Sequence, residues 1–237
     1  GKIGRAAVQM LGELGHRVRA LVHQQPVPGD HVTCLTGSVA DQAVCKEVIC
    51  GSQIVIQMAT TKEDSQTFFD VSLRGTFNIL EACRFSKEDD LLNHFSILKN
   101  VDPAEPGHGF GEVSPEILEL VRSGQERMPV LVDAAGAPLT RHIVHIDDVL
   151  HALDLSLGND SATGRDYNIA APAAFEYRQA ADYLSDKLGI PTIDIPSPQY
   201  FPFSIDVSRA RREIDYSPQN DFKRMADRAI AARYSST

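Results

Sequence analysis

Strand-length apolar runs alternate with helical patterns from Gly1 to Arg84, and that alternation is lost afterwards. This order predicts an α/β fold, a doubly wound parallel sheet followed by a smaller lobe. A third observation points the same way: two glycines, Gly1 and Gly4, open the first helical pattern. Glycines so placed let backbone N–H groups approach a phosphate at a helix N-terminus.

The elements follow in order. Ala7, Met10, Leu11 and Leu14 recur at helical spacing, and Gly15 stands where a left-handed residue ends a helix. Arg17–Val22 and His31–Thr36 are strand-length runs, the second ending at Gly37-Ser38-Val39-Ala40-Asp41. Asp41 is placed to N-cap a helix that runs to Ile49 and closes at Gly51. Gln53–Ala59 is the next strand, followed by a polar loop from Thr60 to Gln66. From Thr67 a longer helix carries Phe69, Leu73, Phe77 and Leu80 on one face. Ligands of such sheets sit outside the carboxyl ends of the strands. The expected cofactor crevice therefore gathers Gly1, Lys2, Ile3, Gly4, His23, Ser38, Val39, Met58, Ala59 and Thr60, with Thr61 beside them.

Composition bounds the class. A chain of 237 residues fits one large α/β unit or two small domains, and an apolar fraction of 43% supplies a core. No run reaches membrane-spanning length, so no membrane partner is expected. A net charge of −9 argues against nucleic-acid binding driven by phosphate neutralisation. Cys34, Cys45, Cys50 and Cys83 show no paired C-x-x-C spacing. Without a signal peptide, they predict a cytoplasmic protein with reduced, mostly buried thiols.

The second half reads as a substrate-binding lobe. Asn100 to Gly111 is a Pro/Gly loop of the kind that carries function, and His108 within it reads as an exposed loop residue. Val113–Val121 is a short helix, and Met128–Asp133 with Thr140–Val144 reads as a hairpin around Ala-Gly-Ala. Ile146, Val149, Leu153 and Leu157 share a helical face. Asp147 and Asp148 fall in its first turn, where carboxylates complement the helix dipole, and no metal site is expected there. Asp206 and Asp221 read as N-caps, and Tyr183 with Lys187 as a structural helix pair. Arg141 is the candidate for an anionic group of a substrate, because its guanidinium fork suits phosphate and carboxylate; Asn100 stands with it on the substrate side.

Several stretches together resemble the extended short-chain dehydrogenase/reductases, the group of NAD-dependent epimerases and dehydratases. Gly1-Lys-Ile-Gly4 is similar to the end of that family's glycine turn, and Gly51–Ala59 to the strand before its active-site loop. Ser72-Leu-Arg-Gly-Thr-Phe-Asn-Ile-Leu-Glu-Ala82 follows a family pattern in which Asn is usual at the first position. Arg141-His-Ile-Val-His-Ile-Asp-Asp-Val149, Gly164–Ile169 and Ser217-Pro218 continue the agreement. The resemblance implies a Rossmann-type sheet in residues 1–99 and a lobe in 100–237 that partly returns to the sheet. It implies an NAD(P)-dependent epimerase, dehydratase or reductase, an oxidoreductase or isomerase acting on a nucleotide-sugar or small carbonyl substrate. A homodimer is the expected assembly.

Departures from the family pattern bear on the chemistry. Its tyrosine–lysine acid–base pair has no tyrosine here before Tyr167; Lys87 fits the lysine, and Cys83 occupies the tyrosine's place by count. Thr60 and Thr61 would line the nicotinamide side. A strand feeding Gly1 and a strand–helix unit after Arg84 are not found, so a seam is expected near Arg84–Phe85, with residues of the folded molecule omitted there. The alternative is a non-catalytic, NADP-binding or regulatory relative. The second strand ends in Val22-His23-Gln24-Gln25 with no carboxylate, and Arg19 lies inside it, so the cofactor is NAD or NADP, with NADP slightly favoured.

Overall fold

The structure, a computed structural model, describes residues 1–59, 65–85, 93–96, 126–196 and 204–235. The chain divides into two compact units, Gly1–His108 and Gly109–Thr237. The boundary expected at residues 99 and 100 falls outside the described residues, as do the loop 100–111 and the helix expected over 113–121.

In the first unit α1 (Lys2–Glu13) buries Ala7 and Leu11, and Gly15 beyond it takes a φ of 85°. That left-handed backbone is what a side chain would resist. β1 (Val18–Val22) pairs in parallel with β2 (Val32–Thr36). α2 (Gln42–Ile49) is capped by the Asp41 carboxylate, which accepts from the N–H groups of Ala43 and Val44 at 2.8 and 3.4 Å. β3 (Ile54–Gln57) pairs in parallel with β4 (Asn93–Ser96), which starts two residues before the run expected from Phe95. α3 (Ser65–Phe68), a π-helical stretch (Phe69–Arg74) and α4 (Gly75–Phe85) follow one another without a break. Arg84 and Phe85 are consecutive residues in the last turn of α4; residues 86–92 lie outside the described set.

The described strands differ from the expected single sheet. β1–β2 and β3–β4 are separate parallel pairs, with no ladder between them among the described residues. The helices tie them together instead. Val39, Cys45, Ile49, Ile79, Ala82 and Cys83 form one buried cluster, and both Leu21 of β1 and Val55 of β3 pack against it. At its centre the Val39 carbonyl accepts from Asn78 Nδ2 at 3.0 Å and from Cys45 Sγ at 3.3 Å. Burial first, then the charge of Asp41 and the neighbouring Cys83, push the Cys45 thiol pKa up. Two of the four thiols, Cys45 and Cys83, are buried; Cys34 is half-buried and Cys50 exposed, so the expectation of mostly buried cysteines holds only for the first two.

The helical face of Phe69, Leu73, Phe77 and Leu80 exists, and it points outward. These side chains are 48%, 53%, 59% and 47% exposed. The inward side of α4 is made by Asn78, Ile79, Ala82 and Cys83.

In the second unit β5 (Met128–Val132) pairs in parallel with β8 (Thr192–Pro196). The expected hairpin is only its turn: Asp133 N–H donates to the Ala137 carbonyl at 2.8 Å and Leu139 N–H to that of Leu131 at 3.0 Å. The returning chain then leaves, and β6 (Thr140–Arg141) pairs antiparallel with β7 (Phe175–Glu176). α5 (Ile146–Ser156) is capped by His145, whose Nδ1 accepts from Asp147 N–H at 3.1 Å. α6 (Tyr177–Leu188) ends at left-handed Gly189 and packs Ala181 onto Val130 and Val132 of β5. α7 (Ser208–Glu213) and α8 (Phe222–Ser235) complete the unit. Asp221 caps α8 through Arg224 N–H, whereas Asp206 stands one residue before the cap position of α7 and accepts from Ser208 N–H.

Asp148 does more than complement a dipole. It is 2% exposed, and its two oxygens accept from the backbone N–H groups of Gln219 and Asn220 at 2.8 and 3.1 Å. Asp147 pairs with Arg228 of α8 at 2.7 Å. Beside them Ala152, Ala170, Val207, Ala210, Ile214 and Tyr216 form the buried cluster of this unit. The Tyr216 hydroxyl donates to the Ala170 carbonyl at 2.9 Å, and burial raises its pKa far above the ordinary phenol value. Among the described residues no helix is long and apolar enough to cross a membrane.

Two substitutions test these contacts. A Cβ at Gly75 would lie 2.5 Å from Val39 Cγ2 and 3.0 Å from its Cβ, so rotating the valine gives no escape. Gly75→Ala should gain about 1 kcal/mol of helix propensity and lose about 1–3 kcal/mol to overpacking; urea denaturation should show net destabilisation, and a stabilised variant would refute the packing. Asp148→Ala leaves two N–H groups without their acceptor, and denaturation should show a loss of about 3 kcal/mol.

Candidate functional site

The N-terminus of α1 is the feature around which the site assembles. Gly1 is its N-cap and supplies no side-chain acceptor, and the first turn holds no acidic residue. An uncapped helix start presents unpaired N–H groups and a partial positive charge. Packing does not demand glycine there. A Cβ on Gly4 would meet only Met58 Sδ, at 3.9 Å. The turn is therefore open to a ligand, and a polyanion is what its exposed donors suit.

Two strand ends come to this turn. Met58, just after β3, reaches Gly4. The Arg5 guanidinium donates to Gln25 Oε1 at 2.9 Å, which brings the loop after β1, with exposed His23, to the first turn of α1. Gln57 fixes the chain as it leaves β3: its Nε2 donates to the Ala59 carbonyl at 3.2 Å and to Thr76 Oγ1 at 3.5 Å. Lys2 is exposed and Ile3 half-buried in the same turn. Ser38, after β2, is half-buried and its hydroxyl accepts from Ala40 N–H at 3.2 Å. Val39 turns inward and belongs to the core, so its side chain is committed to packing.

Thr60, Thr61, Lys87, Asn100 and His108 lie outside the described residues. Arg141 is half-buried on β6 of the second unit, in register with Phe175. Arg5 was missed by sequence reasoning. Its signal was its place immediately after the second glycine, facing a strand end that lacks a carboxylate. Arg19, by contrast, donates to the Cys50 carbonyl beyond α2, so its guanidinium is held away from the carboxyl end of β1. That removes the ground on which Arg19 favoured NADP.

Three residues set against the expected acid–base pattern have other roles. Cys83, in the tyrosine's place by count, is buried in the α2–α4 core. Tyr183 and Lys187, the literal Tyr-x-x-x-Lys, clip α6 to α8: the hydroxyl donates to Asp227 Oδ1 at 2.7 Å, and Lys187 Nζ stands 3.1 Å from the same oxygen. These two partners hold the Asp227 carboxyl below its usual range. The second unit also has an open hollow of about 430 Å³, lined in part by Asp147, Asp148, His151, Asn220 and Arg228. Its charged groups already satisfy one another, Arg228 with Asp147 and Asn220, and Asp148 with two backbone N–H groups.

No family model and no curated protein sequence matches the chain. Solved structures do. A short-chain dehydrogenase/reductase superfamily protein from Agrobacterium tumefaciens, with bound NAD, aligns over 100% of this chain and 95% of its own, at 18% identity and a TM-score of 0.77. The epimerase Mth375 from Methanothermobacter thermautotrophicus aligns over 94% and 86%, at 14% identity and a TM-score of 0.68. A UDP-glucuronic acid 4-epimerase from Bacillus cereus, in complex with NAD, aligns over 94% and 91%, at 15% identity and a TM-score of 0.66. The chain has the Rossmann-type α/β fold of these short-chain dehydrogenase/reductase and epimerase structures, along nearly its whole length.

Proposed function

We propose that the chain is a member of the extended short-chain dehydrogenase/reductase group that binds a nicotinamide dinucleotide and acts as an epimerase, dehydratase or reductase on a nucleotide-sugar or small carbonyl substrate. The observation that carries this reading is the acid-free start of α1, with room at Gly4 and met by the ends of β1 and β3. The solved structures with bound NAD support it. The nicotinamide supplies the hydride donor and acceptor, and the chain supplies position and field.

The roles divide as follows. Backbone N–H groups of Gly1 to Gly4 hold the pyrophosphate, and Ser38 borders the adenine. Met58 and Ala59 border the nicotinamide with Thr60 and Thr61. Arg5 stands where a 2′-phosphate would add negative charge, so NADP is the favoured dinucleotide. Lys87 holds the ribose and lowers the pKa of the proton-transferring group. Arg141 and Asn100 take an anionic group of the substrate. The setting is cytoplasmic, with reduced thiols, and the assembly a homodimer.

A second reading is favoured by the tyrosines. None precedes Tyr167 in the sequence, and Tyr167, Tyr183 and Tyr216 donate to Glu213, Asp227 and the Ala170 carbonyl within the second unit. The chain would then bind NADP without tyrosine–lysine chemistry, as a regulatory or binding module.

Calorimetric titration with NADP and with NAD tests the proposal, and no binding of either ends it. Arg5→Ala should weaken NADP about ten- to hundredfold, the loss of one charged hydrogen-bond partner, and leave NAD nearly unchanged. Gly1→Ala should weaken both at least about tenfold, while unfolding changes by no more than about 1 kcal/mol from the poorer cap. Binding without any change in nicotinamide absorbance across nucleotide-sugar and carbonyl substrates selects the second reading.

A further inference from the structure

One buried amide governs how the chain leaves β3. Gln57 is 5% exposed, and its Nε2 has two oxygen neighbours, the Ala59 carbonyl at 3.2 Å and Thr76 Oγ1 at 3.5 Å. Toward Gln57 both can only accept. A carbonyl oxygen carries no proton, and the Thr76 hydroxyl commits its own to the Ser72 carbonyl at 2.7 Å. The position therefore demands two protons from one uncharged atom, which among side chains only an amide NH2 supplies. Methionine would fill the same space with no donor, glutamate would set a carboxylate against two acceptors, and asparagine is one methylene short.

The groups this amide ties together belong to the end of β3 and to the helix behind it. The ladder with β4 runs only as far as Gln57 opposite Ser96, so the two residues that follow lie beyond it. Met58 stands against the glycine turn of α1, 3.9 Å from where a Cβ of Gly4 would lie, and Ala59 packs on the α2–α4 core. Thr76 lies in the first turn of α4 and Ser72 in the π-helical stretch before it. Such π-helical turns recur at functional sites. We propose that Gln57 is the positioning residue for the nicotinamide half of the cofactor, an inference that rests on the dinucleotide reading above. The amide sets the path of Met58 and Ala59, which border the nicotinamide. The pyrophosphate is taken by the backbone of the α1 turn, whose hydrogen bonds do not involve Gln57. The two halves of the cofactor thus answer to different residues: loss of the amide loosens the nicotinamide and leaves the ADP-ribose half in place.

Calorimetric titration of the full chain with the dinucleotide and with ADP-ribose, 2′-phosphorylated where NADP is the partner, separates the halves. ADP-ribose is the cofactor without its nicotinamide. The wild type should prefer the dinucleotide. Gln57→Met should lower that preference about tenfold, the scale of one hydrogen bond left unmade, and change ADP-ribose affinity by less than about twofold. Thr76→Val removes the second acceptor and should lower the preference in the same direction, whereas Thr76→Ser keeps the hydroxyl and should preserve it. A merely structural amide would weaken both ligands in parallel, so a parallel loss overturns the role of Gln57. An unchanged preference, or a wild type that binds the two ligands alike, overturns it equally. A wild type that binds neither ligand overturns the dinucleotide reading itself, and the inference with it. Should Gln57→Met lose its cooperative urea transition, the Thr76 variants decide, and equal preferences in Thr76→Val and Thr76→Ser refute the proposal.

Discussion

The first unit depends on the contact between Val39 and α4. Its two parallel strand pairs share no backbone ladder among the described residues, so what joins them is side-chain burial against a layer of two helices. Val39 sits at the junction: its side chain lies against Gly75, and its carbonyl takes donors from Asn78 and Cys45. A single amide hydrogen bond is worth about 1 kcal/mol net, whereas a fully buried aliphatic side chain brings about 1.5–3 kcal/mol. The cluster supplies most of the cohesion, and the Asn78 bond sets its register. Ser38 is placed at the end of β2 because the residue after it is anchored.

The second unit solves the same problem with buried polar ties. His142 bridges two segments: its Nδ1 accepts from Ile205 N–H and its Nε2 donates to the Ala171 carbonyl, both at 2.9 Å. Asp148 gathers Gln219 and Asn220, and Tyr216 reaches Ala170. Each partner is satisfied, which is the condition for such groups to favour a unique packing.

The periodic part of the fold was legible because its causes are local. Asp41, Gly15 and Gly51 act at the positions their chemistry suggests, through a cap and two left-handed turns. Arg5 meeting Gln25, by contrast, depends on how α1 docks beside β1. Strand partners were harder. The turn at Gly136 forms, but β5 pairs with β8 some sixty residues on, and no local pattern encodes that choice. Nor does an amphipathic stripe say which side is core. In α4 Asn78, Ala82 and Cys83 face inward with Ile79, while Phe77 and Leu80 face out. Arg19 misled because its strand position says nothing of the carbonyl it finds at Cys50.

The ties of the second unit also order its assembly in time. Asp148 waits for residues 71 and 72 positions further along, and His142 for one 63 positions away. Contacts of such sequence separation carry loop-closure entropy that must be met before they stabilise anything. On a ribosome, α5 stays without its buried acceptor's partners until residue 220 has emerged. The α2–α4 layer of the first unit, by contrast, needs nothing beyond Arg84. Synthesis therefore delivers a helical layer of the first unit already able to pack while the other unit is still an open chain, exposed to chaperones and proteases for the longer interval.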